Sequence, residues 1–409
     1  MKIKILLLTQ WFDPEPTFKG LVFAKALLEQ GFDVEVLTGF PNYPGGRVYP
    51  GYRVRWIQRE VMEGVHVTRV PLYPNHDQSA LKRAFNYVSF SVSSLVYGLF
   101  FARRFDVIYA YHPPLSVGIT ASLLKVFRRK PLVYDVQDMW PDTLKATGML
   151  GNERLLSFIG KICDWVYRRS DVVVVLSPGF KKLLIERGVP VNKIEIIYNW
   201  ADEKSLQTPT GTLPKDFPDA TRFKVLFAGN MGKAQALDTI LESAIILKSS
   251  HSPATFVLVG GGVETERLKI KSTELGLDNV QFIAPMPMNQ IGTVLQAADV
   301  LLVHLRKDPL FKITIPSKTQ AYMAIGKPIL MGVDGDAAEL ILQSQCGWIL
   351  PSENAKALAD EVERLIKLTP NELKAKGDQA KSFYERELSV KVGVRRFANI
   401  FRRLTRGQV

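Results

Sequence analysis

Cysteine is nearly missing. Cys163 and Cys346 are the only two in 409 residues, far apart and in no metal-binding or redox spacing. A disulfide framework is not expected, and a reducing compartment is. A secretory signal is lacking too: Met1–Leu8 is short, strand-like and without a cleavage-site pattern. Zinc spacings, DNA-binding motifs and the aromatic signature of RNA-binding sheets are absent. Acidic residues are locally scarce. Between Leu81 and Lys130, Lys82, Arg83, Arg103, Arg104, Lys125, Arg128, Arg129 and Lys130 stand against the single acid Asp106. After Ser389 come Lys391, Arg395, Arg396, Arg402, Arg403 and Arg406 with no acid at all. The formal net charge of +13 favours anionic partners. With nucleic-acid motifs missing, that means a membrane surface or phosphate, beside the plainer reading of a solvated basic face.

What is present is ordinary globular material, in a length that implies two domains or more. Ile3–Leu8 reads as a buried strand, Phe18–Gln30 as a helix capped at Gly31, and Val34–Leu37 as the next strand. The rhythm continues at Val65–Val70, Val107–Tyr111, Leu132–Asp135 and Val172–Leu176, which predicts a parallel sheet. The polar stretch Ala201–Thr221, with Pro209, Pro214 and Pro218, reads as a linker. Strands then recur at Phe223–Phe227, Thr255–Val259, Val280–Ile283 and Val300–Val303, alternating with helices. Two α/β halves of Rossmann-like type follow, with ligands expected beyond the carboxyl ends of the strands.

The segment Ala84–Ala102 carries no charge and is bracketed by Lys82, Arg83, Arg103 and Arg104. Its length is near the roughly 20 residues that span a bilayer. It also holds Asn86 and four serines and interrupts a sheet, so an interfacial helix with its arginines at headgroups is favoured over a span; a plain core helix stays open.

Four places carry candidate chemistry. His112 follows a buried strand and precedes Pro113 and Pro114, as a group orienting a sugar hydroxyl or as a simple cap. Asp135 and Asp138, with Trp140 as an apolar wall, suit hydrogen bonding and helix capping better than a metal, for which no third ligand is evident. Gly229-Asn230-Met231-Gly232-Lys233 and Gly260-Gly261-Gly262 both follow strands, where main-chain N–H groups can approach phosphate. No ribose-binding acid at dinucleotide spacing follows, which counts against NAD. Pro316-Ser317-Lys318 begins a helix, as an anion site or an ordinary helix start.

These stretches, together with Phe40-Pro41-Asn42-Tyr43-Pro44-Gly45-Gly46 and Gly326-Lys327-Pro328, resemble the retaining glycosyltransferases of family 4 over nearly the whole chain. The likeness is to members that build bacterial O-antigen or capsule, N-acetyl-L-fucosamine transferases in particular. The resemblance implies the GT-B fold: two Rossmann-like domains facing across a cleft, with a C-terminal helix crossing back. Residues 1–200 plus a helix at about 390–409 would bind acceptor, 201–221 would link, and 222–389 would bind the nucleotide sugar. His112 would sit beside the donor sugar, with Asp138 as the other catalytic candidate. Gly232, Lys233, Arg306, Ser317 and Lys318 would hold the diphosphate, and Gly229, Asn230, Gly260, Gly261 and Pro285 the nucleoside. Phe12, Arg83, Phe85, Arg103, Arg104 and Trp140 would form an acceptor and membrane face. No metal or cofactor is implied beyond the UDP-sugar donor. The acceptor would be a polyprenyl-diphosphate-linked sugar, at the cytoplasmic face of the inner membrane in a peripheral or monotopic protein.

The sequence departs from that pattern where many members carry two glutamates. Ile313 and Ala321 stand there, and Asn230 and Gln235 replace the usual arginine and lysine, leaving Lys233, Arg306 and Lys318 as the available cations. A UDP-sugar epimerase of the same architecture, or a non-catalytic subunit of the fold, therefore stays open.

Overall fold

The computed structural model describes residues 2–75, 80–207 and 211–406. They form two compact units, one of Met1–Tyr198 with Gly393–Val409 and one of Asn199–Val392.

The first unit is built on eight strands: β1 (Lys4–Leu8), β2 (Asp33–Gly39), β3 (Gln58–Met62), β4 (Val65–Val70), β5 (Val107–Tyr111), β6 (Leu132–Asp135), β7 (Val172–Val175) and β8 (Ile194–Ile196). Their order is β3-β4-β2-β1-β5-β6-β7-β8. Every pairing is parallel except β3 with β4. The strands between the edges are aliphatic runs because helices cover both faces. Gly31 ends the first helix as its sequence suggests: φ is +86° and its N–H donates to the Leu28 carbonyl at 2.9 Å. The β3–β4 hairpin was not visible in the residue pattern. It turns at Glu63-Gly64, both at positive φ, the backbone that matches the strand twist.

The second unit carries β9 (Phe223–Ala228), β10 (Ala254–Val259), β11 (Val280–Ile283), β12 (Val300–His304), β13 (Ile329–Gly332) and β14 (Gly347–Ile349). They form an all-parallel sheet in the order β11-β10-β9-β12-β13-β14. Each sheet reverses direction once, between β1 and β5 and between β9 and β12. Those switch points open the crevices in which such sheets receive ligands.

The stretch 201–221 is not a free connector throughout. Trp200, Ala201 and Leu206 are buried, and Glu203–Gln207 is helical. The Glu203 carboxylate accepts from Tyr384 Oη and from the Val390 N–H, both at 2.8 Å. The polar composition hides two apolar anchors, next to buried Trp200 just before the stretch, and one acceptor. Pro209, with the rest of 208–210, lies outside the described residues, as do residues 407–409 of the expected C-terminal helix.

That helix spans Val390–Arg406. Within the first unit, Phe397 meets Phe23 at 5.1 Å and Tyr109 at 5.4 Å between ring centroids. Phe401 meets Phe32 at 5.9 Å, and Arg403 pairs with Glu195 at 2.8 Å. Its arginines therefore ride on an aromatic seam instead of forming a uniformly solvated face.

Candidate functional site

In the first unit, β5 delivers His112 to the switch point. The His112 N–H donates to the Asp135 carbonyl at 3.0 Å, which continues the β5–β6 ladder one residue beyond the strand. Its imidazole is buried, edge-on to Trp140 at 5.4 Å and to Tyr134 at 6.0 Å between centroids. Nδ1 has no hydrogen-bond partner within the protein. Burial pushes the imidazole down to about 3, so the ring is neutral at physiological pH. It offers one N–H donor and one lone pair, not a positive charge.

Asp135 does not face outward. It is fully buried and accepts from Tyr109 Oη and Gln137 Nε2, each at 2.6 Å. Burial raises its carboxyl above the ordinary range, opposed by the nearby Lys19 ammonium. Lys19 is itself buried and pushed down to about 8. This cluster of Lys19, Asp135 and Tyr109 went unread because a lysine in a loop ordinarily signals solvent. It shapes the floor under the His112 turn. Asp138 is half-buried, and burial pushes its carboxyl up to about 6. It caps no helix, since the helix that follows starts at Asp142 behind Pro141. Among the described residues no cluster of three or more potential metal ligands occurs.

Phe12, expected at an acceptor surface, is instead buried in the core. The cause is Glu15, whose carboxylate accepts from the Phe12 N–H at 3.2 Å and from the Asn42 and Tyr43 N–H groups at 2.7 Å each. That pins the loop after β1 to the loop after β2 and turns Phe12 inward. Burial still pushes the Glu15 carboxyl up to about 7, against the three donors. Trp11 stacks on Tyr43 at 4.5 Å. Trp140 is half-buried beside His112, whereas Phe85, Arg103 and Arg104 are exposed and Arg83 partly so.

In the second unit, the two glycine turns lock together. Gly260 sits at φ +130°, and a Cβ there would meet the Gly229 carbonyl oxygen at 2.1 Å. A Cβ on Gly262 would meet the Met231 carbonyl at 2.5 Å, and the Met231 N–H donates to the Gly261 carbonyl at 2.8 Å. The need for glycine at 260 and 262 is thus met by neighbouring backbone. Pro285 lies beside Gly261. The Gly232 N–H, expected to point at phosphate, donates to Gln235 Oε1 at 3.0 Å. Gln235, three residues on in the same turn, competes for that donor.

Lys233 is exposed at the head of this turn. Arg306 follows β12, and its N–H donates to the Ala234 carbonyl at 2.9 Å, so both cations flank one loop. The Arg306 guanidinium lies 5.6 Å from the Phe311 centroid and 3.4 Å from Asp308.

Lys318 stands in the first turn of the helix Ser317–Ile325. Tyr322 of that helix accepts from the Ala228 N–H at 2.8 Å, which ties it to the end of β9. The Lys318 ammonium is buried, 3.5 Å from the Phe227 ring centroid and 3.6 Å from where a Cβ on Gly229 would stand. It has no hydrogen-bond partner in the protein, and burial pushes it down to about 7. Ser317 is exposed and caps nothing. Gly229, Asn230, Lys233, Arg306 and Lys318 are therefore gathered at the β9–β12 switch point. His304 was not singled out. It is buried there, with Nδ1 2.7 Å from the Gln235 carbonyl and Nε2 accepting the Glu353 N–H at 3.2 Å.

Comparison with known proteins agrees with this layout. Residues 21–200 match the glycosyl transferase 4-like domain and residues 213–383 the glycosyl transferases group 1 domain. The chain is 28% identical over 342 residues to WcaI of Escherichia coli K12, named for colanic acid biosynthesis as a glycosyl transferase, covering 79% of this chain and 82% of WcaI. It is 26% identical over 309 residues to WbjE of Pseudomonas aeruginosa, named as a glycosyltransferase, covering 74% and 76%. Among solved structures, Anabaena HepE in complex with UDP and glucose superposes with a TM-score of 0.67 at 17% identity, over 97% of this chain and 99% of that one. The sucrose-phosphate synthase of Thermosynechococcus elongatus gives 0.71 at 15%, over 99% and 100%. These structural likenesses establish a shared fold.

Proposed function

Since the chain belongs to the family 4/group 1 glycosyltransferases of the GT-B type, we propose that it transfers a sugar from a UDP-sugar to a polyprenyl-diphosphate-linked acceptor in the making of a bacterial surface polysaccharide. The observation that carries the donor half is the Lys318 ammonium, buried beside the Gly229 turn with no counter-charge. A diphosphate supplies what such a cation lacks, and the gain is large because little water competes there. Lys233 and Arg306 add charge at the same loop, and Gly229, Asn230, Gly260, Gly261 and Pro285 border the nucleoside. Ser317 presents a hydroxyl at the helix start. Departure of UDP is then stabilised by cations and main-chain dipoles, without a metal.

His112 serves the sugar. A neutral imidazole held by the β5–β6 ladder hydrogen-bonds a hydroxyl and keeps the ring oriented as oxocarbenium character develops; Asp138 is the other candidate acid-base group in that unit. The resemblance of the motifs extends the reading to retained stereochemistry and to N-acetyl-L-fucosamine as the donor sugar. The curated relative named for colanic acid biosynthesis supports the polysaccharide setting, and HepE's bound UDP supports the nucleotide. A lipid-linked acceptor places the work at the cytoplasmic face of the inner membrane.

Calorimetry with UDP tests the donor site. Lys318→Met is expected to weaken binding by about tenfold or more, the loss for one buried charged hydrogen bond. In single-turnover transfer, His112→Ala is expected to lose about a hundredfold. Absence of UDP binding at millimolar concentration, or near-wild-type behaviour of both variants, rejects the assignment. Conversion of UDP-sugar with no acceptor present identifies an epimerase instead.

A further inference from the structure

The helix Ala80–Phe100 buries polar Asn86 and Ser94 alongside Phe90 and Tyr97. Its polar residues turn toward the protein. Asn86 is buried and donates to the Tyr73 carbonyl at 2.7 Å and to Asn42 Oδ1 at 3.3 Å. Ser89 accepts from the Tyr73 N–H at 2.8 Å, Ser91 lies 2.7 Å from Thr120 Oγ1, and Ser93 donates to the Pro71 carbonyl at 2.6 Å. Ser94 donates to the Phe90 carbonyl at 2.6 Å, inside the helix. The polar groups that argued against an apolar environment are thus all satisfied within the protein.

The opposite face is apolar and open. Leu81, Phe85, Val88 and Val92 are spaced as one helical stripe, and they are 77%, 67%, 58% and 57% exposed. At 100° per residue that stripe lies roughly opposite Asn86, Phe90, Ser94 and Tyr97. Beside the same helix, Trp56 borders a shallow groove with Ser93, Val96, Tyr97 and Phe101, and it is 66% exposed. Cations mark both ends: Lys82 and Arg83 at the start, Arg103 and Arg104 just past the finish, with Arg53 and Arg55 exposed just before Trp56. Between Leu81 and Phe105 there is no acid.

No helix among the described residues is long and apolar enough to cross a membrane. This one is also anchored along its inner side by the bonds above. We propose that it lies flat in the interface of an anionic bilayer, with Leu81, Phe85, Val88 and Val92 dipped below the headgroups, Trp56 at the headgroup level and the flanking cations on lipid phosphates. A second protein would also cover apolar surface. The combination of an unbroken aliphatic and aromatic stripe, an exposed tryptophan and cations at both ends matches a lipid surface better. This deepens the reading of a lipid-linked acceptor, since it sets the face on which that acceptor arrives.

The test is flotation of the full chain with phosphatidylcholine vesicles, with and without phosphatidylglycerol. The wild type is expected to float with the anionic vesicles. Phe85→Glu is expected to lose about tenfold or more in partitioning. The double change Arg103→Ser with Arg104→Ser is expected to lose about fivefold per arginine on anionic vesicles and little on neutral ones. With brominated acyl chains, part of the tryptophan emission is quenched in the wild type, and Trp56→Phe removes that part. This readout needs no destabilising change. Failure of the wild type to float, unaltered flotation of Phe85→Glu, or quenching that ignores Trp56→Phe overturns the inference. So does a Phe85-dependent dimer that excludes vesicles, which would mark a contact between copies. Partitioning is measured without donor or acceptor, and UDP calorimetry reports separately on the transferase reading.

Discussion

At the scale of single residues, the most consequential group is a lysine that is only partly a cation. Burial brings Lys318 down to about 7, and a bound diphosphate raises it again by supplying the opposite charge. The sign follows. Below pH 7 the free protein already carries the proton, so UDP affinity is at its plateau. Above pH 7 binding must take up a proton, and affinity falls toward tenfold per pH unit until the bound-state value is reached. UDP titrations at pH 8 in buffers of different ionisation enthalpy are expected to show net proton uptake, and Lys318→Met to show none from this source. Glu15 makes a second case. Replacing it by Gln keeps the shape but turns an NH2 toward main-chain donors, leaving at least one buried N–H unsatisfied. The expected loss is about 1–3 kcal/mol in chemical denaturation of the first unit. Little of this was legible in the sequence. Lys318 reads as a diphosphate ligand at a helix start and Glu15 carries no signal in its loop, but the burial of both comes only with three-dimensional closure. His112 could be read, because a histidine ending an aliphatic strand before two prolines has few other places to go. Its neutrality could not, since that depends on Trp140 and Tyr134 packing around it.

At the scale of elements, most interior strands are legible in the sequence; of the edge strands β11 is, whereas β3, β8 and β14 are not. β1, β5, β6, β7, β9, β10 and β12 are continuous aliphatic runs because both faces are covered. β3 and β14 alternate or are short, as edge strands are, and β13 hides behind Lys327-Pro328. The glycine turns were legible as turns, but their reason was only half visible, since Gly260 and Gly262 yield to backbone and not solely to a ligand. The residues of Val390–Arg406 read as a basic stretch, for which the family resemblance implies a helix at about 390–409 crossing back; its role in the fold is aromatic. Phe397→Ala removes a fully buried ring from the Phe23–Tyr109–Phe401 cluster. It is expected to cost about 3–5 kcal/mol. The loss should appear in the denaturation transition of the first unit, followed by hydrogen exchange of peptides from β1 and β5, with peptides from β9 and β10 unmoved.

At the scale of the whole molecule, two sheets with separate cores imply two cooperative units, so a ligand held by one should protect that one. UDP at a hundred times its Kd stabilises its unit by about 2.7 kcal/mol. Hydrogen exchange is expected to slow in the peptides covering 225–235 and 315–325 while those covering 5–12 and 107–114 keep their rates. Uniform slowing, or slowing confined to the first unit, would place the nucleotide elsewhere.

The late position of residues 393–406 in the chain carries a consequence for biosynthesis. Phe23 and Tyr109 are made before the second unit, yet Phe397 and Phe401, the rings that cover them, are made after it. The first unit must therefore wait, with part of its aromatic core bare, until translation has passed through the whole of the second unit.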